Sequence, residues 1–427
     1  MKKTGTYFLL FCLALYFFKC NSIRQYTAKK TPHTASAAND RLDLNTKAYH
    51  VNDSLTEIFF EVKNDNLIYK RTDTSSAFYA EIKVSYSLCT SEDCKRSIDT
   101  SSFYLLDGEA SEQVPIKSLV HRFKVHARFG NNYYLKMEVY DLNRLTLTNK
   151  MLTINKSDRL NEQNFFIESG GAPVYQQHFI NHQHLSISSA NNAVSKLQVY
   201  CYFKEKRAAS PPFSNKANEK MPQADSSFEL SAINGRFFLT APEKGFYFIK
   251  ADLNSDIGFC LYTFDVAFPA ISSSNDMINA CRYVMYKEEF DSCLNAPDKK
   301  QAIDKFWLNI GGSHERAREI LKKYYARVKE ANNLYSSYME GWKTDRGMIS
   351  IIFGEPTNVY KSVKDEIWVY GIETNPATLR FIFKKRQSPF SDNDFVLERS
   401  DFYKDAYYQA VDYWRQGIVY NERAADR

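Results

Sequence analysis

The sequence predicts a mainly β chain: two successive β-sandwiches of immunoglobulin-like type, then a helical connector, then a small α+β domain. Three features carry that prediction. Short runs with apolar residues at every second position recur between turn residues from about 42 to 270. Near Ser273 the apolar period changes to three and four, the spacing of a helix face. After Gly341, strand-like runs return between Gly and Pro breakers and lead into one more helical stretch.

The N-terminus reads as an address. Lys2 and Lys3 precede an apolar run at 6–18, too short to span a bilayer with ordinary flanks, which ends at Lys19-Cys20-Asn21. A Cys in that place is the layout of a bacterial lipoprotein, with residues 1–20 as the signal peptide region and Cys20 as the lipidated residue. Phe17, Phe18 and Lys19 depart from the usual small-residue pattern, so an ordinary signal peptide or an uncleaved anchor stays open. The stretch after Cys20 has no acidic cluster, which favours an outer-membrane anchor facing the periplasm over surface export. Residues 21–41 are rich in Lys, Thr, Ala and Ser and read as a tether.

The first sandwich is expected over 42–157. Its strand runs are 56–62, 78–88, 102–105, 121–125 and 133–140, the last two flanking a turn at Gly130-Asn131-Asn132. The second is expected over 158–271, with runs at 196–203, 235–239, 245–250 and 259–264, and a long surface loop at 208–225 holding Pro211, Pro212 and Pro222. The helical connector covers 272–340. Met277, Cys281, Val284 and Met285 share one face, and Ser313 caps a long helix with Ile320, Tyr324 and Val328 on its stripe. From 341 to 427 the runs 348–353, 366–370, 379–383 and 395–397 read as strands, and Ser400 caps a final helix carrying Tyr407, Val411 and Trp414 on one face.

Residues Gly341, Trp342, Thr344, Asp345, Arg346 and Gly347, then Gly354 and Pro356, then Trp368 and Tyr370, form a specific order. It resembles the GWxTD domain, a bacterial envelope family. The resemblance implies an envelope protein and no particular reaction. The same strand, Gly-x-Pro turn and Trp-x-Tyr layout loosely resembles small lipoprotein subunits that accompany outer-membrane barrel assembly, which implies envelope or outer-membrane proteins as partners.

Composition narrows the function. A net charge of +6 spread over 427 residues, without basic runs interleaved with aromatics, argues against nucleic acid. Beyond Cys12 and Cys20, six cysteines permit the pairs Cys89–Cys94, Cys201–Cys260 and Cys281–Cys293; buried free thiols are the other reading. His178, His182 and His184 form the one His cluster, a weak zinc candidate that would make a metal-assisted envelope hydrolase. Thr344, Asp345 and Arg346 invite two readings. They line a ligand pocket walled by Trp342, or they brace a loop in which Arg346 pairs with Glu355 or Glu366 and Trp342 fills the core. No base or nucleophile stands beside them, so a cofactor-free, non-enzymatic interaction protein is the expectation, held to the membrane by an N-terminal lipid.

Overall fold

The computed structural model describes residues 42, 44–63, 67–73, 76–109, 118–175, 177–180, 182–214, 222–240, 243–362, 364–372, 374–375 and 378–420. Cys20, the signal peptide and the whole tether lie outside the described residues.

The first sandwich comprises β1 (Leu44–His50), β2 (Leu55–Lys63), β3 (Phe78–Cys89), β4 (Ser97–Glu109), β5 (Ser118–His126), β6 (Asn132–Asp141) and β7 (Thr146–Asn155). One sheet has the order β1-β2-β5 and the other β4-β3-β6-β7. Strict alternation buries Ala80, Ile82, Val84, Tyr86 and Leu88 of β3 against Ile58, Phe60 and Val62 of β2, forming one core. The turn at Gly130 does not close a hairpin, because β5 and β6 belong to opposite sheets. Tyr133 fixes that crossover: its hydroxyl donates to Arg128 O (3.1 Å) and accepts from Arg128 N (3.0 Å). This is the tyrosine corner of immunoglobulin-like sandwiches.

The second sandwich repeats the plan with β8 (Phe165–Ser169), β9 (Ala172–Pro173), β10 (His178–Ile180), β11 (His184–Ser189), β12 (Lys196–Tyr202), β13 (Ser226–Ser231), β14 (Arg236–Thr240), β15 (Gly245–Lys250) and β16 (Phe259–Phe264). Its sheets run β14-β11-β8-β9 and β10-β16-β15-β12-β13. Tyr247 makes the second tyrosine corner, donating to Glu243 O at 2.8 Å. Phe166 of β8 stacks on Phe59 (4.8 Å between centroids) and so packs this sandwich on the outside of the first.

Cys89 and Cys94 are joined. The expected Cys201–Cys260 pair is not formed. Strand β15 lies between their strands, and the register sets Cys201 opposite Tyr247 but Cys260 opposite Phe248, so the two thiols point to opposite faces of the sheet. Cys281 and Cys293 are also free and buried, and burial pushes the Cys281 thiol up even though the Tyr325 hydroxyl lies 3.0 Å from its sulfur.

The remaining elements are α1 (Ser274–Cys281), α2 (Lys287–Asn295), α3 (Lys299–Gly311), α4 (His314–Tyr335), α5 (Asp345–Phe353), β17 (Asn358–Lys361), β18 (Asp365–Tyr370), β19 (Leu379–Lys385), β20 (Phe395–Leu397) and α6 (Lys404–Arg415). The four strands form an antiparallel sheet in chain order. The boundary expected at 340 does not separate two cores: Ile278, Trp307, Tyr324, Trp342, Ile352, Phe381 and Trp414 belong to one hydrophobic cluster. The run at 348–353 is a helix and not the expected strand. All nine residues of α5 are buried, so no polar face reveals its period.

Candidate functional site

The chain leaves α4 and makes a short 3₁₀ turn at Gly341–Lys343 before α5 begins. Two glycines permit this. A Cβ on Gly341 would stand 1.9 Å from Ala331 O on α4, and one on Gly347 would stand 1.9 Å from Gly341 O. The glycines thus allow three backbone segments to touch. Trp342 sits between them, 3% exposed, with its N–H on Asn332 Oδ1 (3.1 Å) and its carbonyl accepting from Tyr283 Oη (2.8 Å). Thr344 is the N-cap of α5: its Oγ1 accepts from Gly347 N at 3.0 Å and donates to Gly341 O at 2.7 Å. Thr344→Ala is expected to cost about 1 kcal/mol, the usual loss for a cap, read as a lower urea midpoint with unchanged slope.

Asp345 and Arg346 point into the protein. Asp345 is 5% exposed; Oδ2 accepts from Leu397 N (2.9 Å) and Oδ1 from Arg399 Nη2 (2.5 Å). Arg399 also donates through Nη1 to Ser210 O (2.7 Å) and Pro211 O (2.6 Å). Ala209 N donates to Lys343 O at 2.8 Å, and Phe213 packs on Tyr407 and Tyr408. The segment 208–214, expected as surface loop, is therefore a clamp from the second sandwich onto the motif. Arg346 pairs with Glu366 (3.3 Å) and not with Glu355, donates to Asn393 O (2.9 Å), and lies over the Phe395 ring at 4.2 Å. Burial pulls its pKa down and Glu366 opposes that shift.

The later motif residues finish the same scaffold. Gly354 has φ of 83°, and Arg327 lies against it while donating to Ile351 O (3.0 Å) at the end of α5. Pro356 follows in the turn into β17. Trp368 is buried with Nε1 on Glu366 Oε2 (3.2 Å), and Tyr370 donates to Gly354 O (2.8 Å).

The three histidines do not converge. His178 on β10 is half-buried with its ring 4.8 Å from that of Phe268. His184 on β11, in the opposing sheet, holds Thr240 Oγ1 at 2.7 Å, and exposed His182 turns the chain between them at φ 62°. Among the described residues no three His, Cys, Asp or Glu side chains are grouped to hold a metal ion, so the metal-hydrolase reading loses its ligand set.

The concave feature beside the motif was not found from sequence. A cleft of about 220 Å³ separates the second sandwich from residues 338–343, with Tyr202, Phe246, Phe264 and Tyr338 among its walls. Lys204, Lys206, Lys244 and Lys343 surround it with Glu205 and Glu340. Buried Glu340 bridges Lys244 (2.9 Å) and Lys343 (2.9 Å), and Lys343 reaches Glu205 (2.9 Å). Burial pushes the Glu340 carboxyl up, but Lys343 and Lys244 outweigh it and hold the pKa at about 2. A depressed carboxyl contributes stability above its ordinary value of 4.5, and loses it as pH falls toward about 2. The stability advantage of the native chain over Glu340→Gln is therefore expected to be full at neutral pH, to shrink below pH 4.5 and to vanish near pH 2. Urea titrations at stepped pH check it. The sequence signal was there: Glu340 and Lys343 interleave with Gly341 and Trp342.

No curated protein sequence matches the chain. Among solved structures it is similar, at 11% identity and a TM-score of 0.17, to a calcium-binding mutant of Bacteroides uniformis beta-glucuronidase 2. That similarity covers 33% of this chain and only 16% of the other, and it bears on neither fold nor function. The model of the GWxTD domain matches residues 245–416, from the first residue of β15 through α6. With the motif residues in one turn and one core, the chain carries a GWxTD domain over residues 245–416.

Proposed function

We propose that this protein is a non-enzymatic cell-envelope lipoprotein, lipidated at Cys20, facing the periplasm from the outer membrane and serving as a protein-interaction or assembly-accessory module. One observation carries the reading. The polar residues of the motif are engaged inside the fold, Asp345 by Arg399 and Leu397 N and Arg346 by Glu366 and Asn393, while the cleft beside them joins an aromatic wall to a lysine rim. Aromatic anchors framed by charge suit a protein partner. Among the described residues no helix is long and apolar enough to cross a membrane, so the anchoring part of the reading falls on Cys20 and the run before it.

Two experiments test it. Cys20→Ala is expected to move the protein from the membrane fraction to the soluble periplasm, because acyl chains contribute roughly 0.8 kcal/mol per buried methylene. Retention in the membrane without a tightly held partner counts against lipidation. For the cleft, the double variant Lys204→Glu with Lys206→Glu, at its lysine rim, is expected to reduce recovery of envelope partners from solubilised membranes by about tenfold, a loss of ~1.4 kcal/mol. The melting temperature should stay at the native value. Undiminished recovery of every partner would remove the cleft from the reading.

A further inference from the structure

The outer face of the five-stranded sheet of the second sandwich is aromatic. Alternation turns Tyr202 of β12, Phe246 and Phe248 of β15, and Tyr262 and Phe264 of β16 away from the sandwich core. Register puts Tyr202, Phe246 and Tyr262 in one row across three strands. Tyr338, which follows α4, and Phe390, which follows β19, join these rings in one buried cluster.

Phe390 shows what this face accepts. Its ring lies 5.2 Å from Tyr202 at 61° and 5.4 Å from Phe248 at 84°, edge-to-face contacts, and 5.2 Å from Phe246. Tyr262 Oη donates to Phe390 O, so the backbone is held along with the ring. The loop Ser388-Pro389-Phe390 thus seats an aromatic side chain of this chain in an aromatic socket.

The cleft beside the motif continues that socket. Tyr202, Phe246 and Tyr338, three of the rings around Phe390, also line the cleft, and Phe264 adds a fourth. Its volume of about 220 Å³ is small for a whole ligand and suits one side chain. The charges that frame the opening already have partners in the fold. Lys204 meets Asp225 (3.0 Å), Lys244 meets Asp265 (2.9 Å), Lys343 meets Glu205 (2.9 Å), and Lys206 lies 5.8 Å from the Tyr338 ring. Selectivity inside the cleft therefore falls to the rings, which favour another ring over an aliphatic group of the same size.

We propose that the cleft takes one aromatic side chain of a protein partner, docked beside Phe390 on the same sheet face. The proposal rests on the interaction-module reading above and names the group by which a partner is held.

The test titrates the full chain with N-acetyl-phenylalanine amide, and with N-acetyl-cyclohexylalanine amide, similar in size but without a π face, using saturation-transfer NMR. The phenylalanine amide is expected to bind about fivefold more tightly. The amide of 4-benzoylphenylalanine, photoactivated, should cross-link within 202–206 or 338–343. Lys206→Trp puts an indole of the chain's own at the cleft mouth and should weaken the phenylalanine amide severalfold at an unchanged melting temperature. Equal affinity for the two amides, cross-links elsewhere, or undiminished binding by Lys206→Trp overturns the proposal. If the Lys204→Glu, Lys206→Glu chain nevertheless loses its envelope partners, the interaction-module reading stands and only the aromatic anchor falls. Probe binding in the cleft with every partner retained by that double variant overturns both, because the ring site then serves no protein partner.

Discussion

Trp342→Ala is expected to destabilise the GWxTD domain by about 3–5 kcal/mol, the range for truncating a buried Trp, and to lower its melting temperature by roughly 10 °C. The turn's backbone bonds to Asn332 and from Tyr283 do not depend on the indole, so the loss comes from the ring alone. That ring packs edge-on to Tyr283 (6.4 Å) within the core shared by α1, α4 and α5. Because the same core runs to Trp414 on α6, the loss should appear as one cooperative shift in denaturation of the whole domain. Trp342→Phe should recover part of it. A Trp342→Ala chain within 1 kcal/mol of native would mean that the ring is not part of this core.

Asp345→Ala is expected to cost a similar amount, about 3–5 kcal/mol, because it leaves the buried Arg399 guanidinium without its carboxylate. Three segments feel the change. Leu397 N loses its acceptor at the end of β20, Arg399 loses its carboxylate anchor, and the 208–214 clamp keeps its carbonyl bonds to an arginine no longer fixed, beside the bonds at Ala209 N and Pro212 O and the packing of Phe213. Limited proteolysis should therefore cut faster within 208–214 in the variant than in the native chain. Equal cleavage together with equal stability would show that Asp345 does not couple the sandwich to the domain.

Much of the architecture was legible because sandwiches leave one face of most strands in water, β15 and β16 being buried on both faces. The alternation of β3, with Ala80, Ile82, Val84 and Tyr86 inward, is visible without any structure. Helix α4 was equally plain, since a half-exposed helix shows its period and Ser313 marks its start. The failure at 348–353 has the opposite cause. A fully buried segment carries no polar face, so β-branched Ile349, Ile351 and Ile352 suggested a strand. The correcting signal lay three residues upstream, where Thr344 followed by Asp345 is an N-cap with an acid in the first turn.

The candidate site was less legible, because long-range partners leave no local mark. That Asp345 would find Arg399, and Arg399 the carbonyls of Ser210 and Pro211, depends on how the domain docks on a sandwich loop. The cysteine pairing failed for a related reason: only the strand order β16-β15-β12 shows that Cys201 and Cys260 are separated by a strand and face apart. The Glu340–Lys343 pair is local, at i, i+3 spacing, but its burial depends on Lys244 arriving from the second sandwich.

The central claim is that the motif's charged residues hold the fold together and that recognition lies elsewhere. The melting temperature of the Asp345→Asn chain tests this most directly, since the substitution keeps the shape and removes the charge. A structural Asp345 predicts a fall of several degrees, as Arg399 stays buried without its counter-charge. A carboxylate kept for binding is held at a cost to the free protein, so an unchanged or higher melting temperature in Asp345→Asn would contradict the account.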